Sequence, residues 1–225
     1  MNLLEISKFL SLASGITTIG LLLAIAFFLN EIEGKLGDRA KALRSLTSIA
    51  ALTWAIATGL SIIATLANIL GTDLSEALDP TSLRSFISQV TLGKYMFAQL
   101  CLALLVASVV IRIKGVAGAN ALLLLSLVAI IAPVFESHSA SSGSHALAIG
   151  SLVAHVIAIS LWVGGLVAIT FLKADDRAIA LPRFSALALW AAIAVSASGT
   201  ANAWARLSFQ SAWSSDYARL VFLKI

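Results

Sequence analysis

PVFESHSASSGSHALAIGSLVAHVIAISLWVGG, residues Pro133–Gly165, decides how this chain is read. It holds all three histidines of the protein. His138 and His145 flank a Ser/Gly-rich loop, and His155 lies inside an apolar run that leads to Trp162, Gly164 and Gly165. That run is long enough to cross a bilayer. An ionisable group inside a spanning segment is costly and is a functional candidate by default. Imidazole is also the commonest metal ligand. The stretch therefore reads as the chemical centre, and the other helices as its container.

Composition fixes what that container is. Of 225 residues, 60% are hydrophobic and 12% charged, against about half and about a quarter in a soluble domain. The expectation is an all-α polytopic transmembrane helical bundle. Spans need about 20 mostly apolar residues, and six runs qualify: about Lys8–Asn30, Ser45–Leu70, Leu92–Ile113, Val116–Phe135, Ala146–Leu172 and Phe184–Ala203. A seventh begins near Tyr217 and is cut off at Ile225, so the chain reads as truncated at its C-terminus. The first run has no convincing cleavage site and is expected to be retained. Each of the three prolines, Pro80, Pro133 and Pro182, falls near an expected helix end.

The loops set orientation through their Lys/Arg bias. One set carries Lys35, Arg39, Lys41, Arg44, Arg112, Lys114, Lys173, Arg177 and Arg183; the other carries Arg84, Lys94, Arg206 and Arg219. Nine against four places the N-terminus, and the histidine loop with it, outside a plasma membrane. The longest loop, residues 71–91, has Asp73, Glu76 and Asp79. Asp79-Pro80 is a turn signal, and Ser82–Val90 has the length of a short interfacial helix. Its acidity suits either a cation-attracting mouth or an ordinary solvated loop.

The residues able to carry chemistry are few. Helix geometry puts Ala148, Ser151, His155, Ile159 and Trp162 on one stripe, with His155 roughly 13 Å along the helix from its outer end. An imidazole there needs a partner, whether a metal, a haem, a carboxylate or a carbonyl. The bland alternative is a packing histidine hydrogen-bonded to Ser or backbone. His138, His145 and Glu136 form an imidazole-carboxylate set suited to Cu(II) or Zn(II), or else two solvated loop histidines beside a carboxylate. Cys101 and Met96 are soft donors of the kind that select Cu(I). They are five residues apart and cannot share one helix face, so at most one joins a site. Both are equally readable as packed side chains. The WVGG glycines let a neighbouring backbone approach. SGTANAW, residues 198–204, supplies polar groups that could hydrogen-bond the fifth span. There is no Gly-rich phosphate loop, HExxH or G-x-S-x-G, so the expectation is a protein that is not an enzyme. No basic patch interleaves with aromatics, and no nucleic-acid partner is expected.

Ala42–Gly59 resembles Pro182–Gly199, and Leu92–Leu100 resembles Ser215–Leu223. These matches suggest a parallel internal repeat whose first copy covers residues 1–115 and lacks a histidine. Small-residue helix interfaces alone could also produce the likeness.

His155–Ile169, HVIAISLWVGGLVAI, resembles the H-x6-W-x-G-G helix of the bacterial copper-resistance D family. Arg183–Gly199 resembles that family's RFS-type helix start, with Ser198 in the position of a Thr before Gly199. Ser214–Ile225 resembles its T-x-Y-G-R-L-L-L-K segment, with Ser215 for Thr and Ala218 for Gly. The resemblance covers residues 145–225. It implies an inner-membrane protein of copper homeostasis or resistance that transports or supplies copper. Its implied partners are the lipid bilayer, copper ion, and a periplasmic copper-binding protein or a cytochrome oxidase assembly factor. In some relatives this domain is fused to a cytochrome oxidase assembly domain, which would fit a stop at Ile225. Of the candidate ligands, the resemblance carries only His155. The competing readings are a haem-binding membrane cytochrome with His155 as axial ligand, and an assembly scaffold that binds nothing.

Overall fold

The computed structural model describes residues 2–29, 38–136 and 145–206, with side chains at 2–29, 40–136 and 149–201. These residues are helical throughout their ordered elements and contain no strand. Among the described residues six helices are long and apolar enough to cross a membrane: Leu3–Phe28, Ala40–Leu70, Thr91–Arg112, Val116–Phe135, Ile149–Phe171 and Ala174–Ala201. They coincide with the six runs expected from hydropathy. The seventh segment and His138 lie outside the described residues.

Local chemistry sets the helix ends. Helix α1 (Leu3–Leu23) opens with a capping box. Asn2 Oδ1 accepts from the Glu5 amide at 3.0 Å, and Glu5 Oε2 accepts from the Asn2 amide at 3.1 Å. Two donors that the helix would orphan are thereby satisfied. A π turn at Ala24–Phe28 continues α1 and closes with Leu29 N–H on Ala24 O at 3.1 Å. Helix α2 (Asp38–Leu70) ends at Gly71, whose φ of 66° is the left-handed conformation that suits glycine. Thr72 N–H then reaches back to Ala67 O at 3.1 Å, closing a Schellman cap.

The short helices α3 (Leu74–Ala77) and α4 (Pro80–Gln89) fill the long acidic loop, and α4 lies where a short helix was expected at Ser82–Val90. Asp79 caps α4, accepting from Ser82 N–H at 2.9 Å, with Pro80 in the first turn. The Ser82 backbone N–H, followed by the Ser82 hydroxyl, holds the Asp79 carboxyl below its ordinary value of 3.8. A depressed carboxylate stabilises the fold above its unfolded pKa and loses that contribution as pH falls through the folded value. Protection of α4 amides against hydrogen exchange, relative to the intrinsic rate at each pH, should therefore fall below about pH 4. Asp79→Asn, which still caps, should remove that pH dependence. Equal pH dependence in the variant would show that the carboxylate is not the cause.

The remaining elements are α5 (Thr91–Val109), α6 (Val116–Ile131), α7 (His145–Phe171) and α8 (Ala174–Arg206). Three-residue and four-residue 3-10 turns extend α5 and α6, at Val110–Arg112 and Ala132–Phe135. Sequence reading puts Pro182 at the start of the sixth span, but it is inside α8, eight residues after Ala174. The helix begins early because Asp175 and Asp176 occupy its first turn, where negative charge meets the positive helix end. The ring costs α8 one backbone hydrogen bond.

Helix α1 is the hub. It packs on α2, α6 and α7, while α5 packs on α2 and α6, and α8 packs on α7 and the π turn. The C-terminal part of α1 and its π turn, from Ile19 through Ala26, is buried on all sides, as expected of a helix that is apolar all round. Trp54 of α2 is fully buried. Its indole lies against Gly15, where an added Cβ would come within 2.9 Å of the ring.

One end of the bundle is tied by arginines that donate to carbonyls. Arg183 Nη1 reaches Phe27 O at 2.8 Å, and Arg177 reaches Ile169 O at 3.1 Å and Thr170 O at 2.9 Å. Arg44 reaches Ile113 O. Helix C-terminal carbonyls lack intrahelical donors, and a cation there also complements the helix dipole.

Candidate functional site

His155 lies ten residues into α7 and is half-buried. Its Nδ1 is 3.2 Å from Ser198 Oγ of α8, which is 6% exposed. Ser198 Oγ in turn lies 2.5 Å from Ala194 O and 3.1 Å from Val195 O. A serine hydroxyl has one proton, and here the helix carbonyls take it. With that proton so engaged, Ser198 Oγ accepts from His155 in the tautomer that carries its proton on Nδ1. Nε2 then carries the free lone pair that a metal ion would use. An Nδ1–H fixed by a second group is the usual arrangement of a metal-binding histidine.

The pairing follows from helix packing. Among the described side chains of α7, Ser151, Ala158, Ser160, Gly164, Gly165 and Ala168 are buried, and Trp162 is 36% exposed. His155 thus sits between the buried face and the outer surface, where it reaches α8. The WVGG glycines have the structural role expected. Gly164 meets Gly20 backbone to backbone, and Gly165 receives the ring of Phe184. Phe184 also stands edge-on to Phe28, with centroids 6.2 Å apart and planes at 85°.

The other candidate ligands are distributed. Cys101 is exposed on the outside of α5, whereas Met96 is 6% exposed and points inward. The two do not share a face, as their spacing requires. Met96 lines a cavity of about 350 Å³ between α1, α2, α5 and α6, and Glu136 stands at the same cavity. His145 is the first residue of α7, and its side chain is outside the described set. Among the described residues no three His, Cys, Asp or Glu side chains cluster as a metal site would require.

Sequence reading did not single out Ser198 as the histidine's partner. It named the segment 198–204 as a whole as able to hydrogen-bond the fifth span, and within it Thr200 Oγ1 instead donates to Ser196 O of its own helix at 2.8 Å. The available signal was a hydroxyl immediately before Gly199, at a depth matching His155. Also missed were Ser61, Thr65 and Gln99, which line the cavity with Met96. Their signal was helical spacing: Ser61 and Thr65 are four apart, Met96 and Gln99 three apart.

A family model described as copper resistance protein D-like, N-terminal domain, matches residues 2–147. A second, described as copper resistance protein D, matches residues 178–225. The helix that carries His155 lies mostly between the two matched stretches. No curated protein and no solved structure matches the chain.

Proposed function

The chain belongs to the copper resistance protein D family, and from that premise we propose that it carries copper across a bacterial plasma membrane. Membership gives a copper-related, multi-pass membrane protein, and transport is the reading that gives His155 a task. The observation that carries it is the His155–Ser198 pair, which engages Nδ1 and, in the tautomer protonated there, leaves the Nε2 lone pair for a ligand. A copper ion would be the cargo, collected by His138, His145 and Glu136 and received by His155.

Purified protein loaded with copper and desalted should retain the metal in stoichiometric amount, with less retained by His155→Asn. Its visible spectrum separates the alternatives. A Soret band would replace transport by a haem-binding role, and neither copper nor haem would leave a scaffold.

Orientation belongs to the same proposal. The Lys/Arg bias supports an external N-terminus, and the arginine-tied end of the bundle would then face the cytoplasm. A cysteine placed at Ser141 should react with an impermeant thiol reagent in intact cells, and one at Asp38 should not. The opposite labelling pattern would invert the bundle and remove the capture role of the histidine loop.

A further inference from the structure

The cavity between α1, α2, α5 and α6 has no part in the His155 pair. Lys8, exposed near the start of α1, and Glu136, at the end of α6, line it together with the buried Met96 and Gln99. Its depth is polar. Ser61 is 2% exposed and Thr65 5% exposed, both line the cavity, and neither Ser61 Oγ nor Thr65 Oγ1 has a hydrogen-bond partner. Gln99 is 7% exposed. Ser11, also on the wall, is already engaged with Thr58 at 2.8 Å.

Two buried hydroxyls without partners are expensive in a membrane protein. An apolar residue at either position would spare the cost. Hydroxyls facing an open cavity beside an amide and a thioether instead form a set of neutral donors waiting for a ligand. We infer that this cavity is a second cation site, separate from His155, in which the Met96 thioether and the Gln99, Ser61 and Thr65 oxygens hold Cu(I), or Ag(I) in its place.

The one soft donor of the set, the Met96 thioether, points to the ion. Thioether sulfur prefers soft metals, Cu(I) above the divalent ions. The Born cost of burying an ion rises with the square of its charge. Neutral donors therefore tolerate a monovalent ion far better than a divalent one. A single thioether with neutral oxygens also binds weakly enough to release its ion, as a transit site must. The identity of the ion rests on the copper reading above; the site itself rests on the cavity.

Silver absorption spectroscopy on the purified full chain tests this. A Cys101→Ser background removes the one thiol, leaving Met1 and Met96 as the only sulfurs. Ag(I)-loaded protein should show a sulfur neighbour at the metal. Met96→Leu, close in volume and expected to fold, should lose that neighbour and bind Ag(I) about tenfold more weakly, the loss of one good ligand. Ser61→Ala combined with Thr65→Val should keep the sulfur neighbour and weaken binding about threefold to tenfold, the range for removed polar contacts. His155→Asn should leave the sulfur neighbour in place. A sulfur neighbour that persists in Met96→Leu, or is absent from the parent protein, overturns the cavity site. If His155→Asn also abolishes copper uptake in that case, the path through His155 stands without it. If Met96→Leu removes the sulfur while His155→Asn transports normally, the cavity site stands and the His155 path falls.

Discussion

His155→Asn is expected to abolish copper-dependent uptake while the protein still inserts and accumulates. The asparagine amide can donate to Ser198 Oγ in place of Nδ1–H, so the contact between α7 and α8 survives. What it lacks is the Nε2 lone pair, and a carboxamide is a poor copper ligand. His155→Ala should be equally inactive but less stable, because the acceptor on Ser198 then loses its donor. Ser198→Ala leaves the ligand and removes its orienting group. The expected loss is about tenfold to a hundredfold in copper affinity, the usual effect of removing the group that fixes a metal-bound histidine. His138→Ala and His145→Ala should raise the copper concentration needed for uptake, since they would affect capture more than passage. Uptake of radioactive or mass-labelled copper into cells or vesicles reads all five variants. Full uptake by His155→Asn would make His155 a packing residue and end the proposed path.

Gly20→Ala is expected to destabilise the bundle by about 1–3 kcal/mol or more, the range for overpacked interiors. Gly20→Leu should prevent accumulation altogether. A Cβ at Gly20 would overlap the Gly164 carbonyl group itself, and a Cβ at Gly164 would fall 2.6 Å from Ile16 O. Backbone cannot rotate out of the way as a side chain can, so α1 and α7 would have to part. That separation would open the most deeply buried part of the hub and shift His155 relative to its neighbours. Gly59→Ala is the matched control, because nothing lies within 4 Å of a Cβ there. In mid-helix it should be neutral or stabilising by up to about 1 kcal/mol. Thermal unfolding of the detergent-solubilised protein compares the two. Similar midpoints for Gly20→Ala and Gly59→Ala would show that the close approach of α1 and α7 is not required.

Much of this architecture is legible in the residue order. Hydropathy alone locates six spans, because a bilayer demands long apolar runs whose backbone bonds close within each helix. Asp79-Pro80 marks the start of α4, since an aspartate cap followed by proline satisfies the first turn. His155 stands out as a costly group in an apolar run, and Gly164 and Gly165 as places of close helix approach. All of these are local properties of sequence, fixed by the solvent or by the next few residues.

Tertiary structure decided what helix-to-helix registry decides. Nothing in the order of residues pairs position 155 with position 198, or sets Ser61 and Thr65 across a cavity from Met96. The start of α8 also escaped, because Pro182 and Arg183 read as a loop. Arg183 instead crosses to Phe27 O, 156 positions earlier in the chain. Met96 and Cys101 were indistinguishable as sulfur donors in an apolar run. Only the rotation of α5 against α2 and α6 turns Met96 to the cavity and leaves Cys101 on the outer surface. Hydrophobicity fixes how deep a residue lies in a membrane, but it does not fix which way the residue faces. Inside lipid that second choice depends on packing and polar contacts between helices, and these exist only once the helices have met.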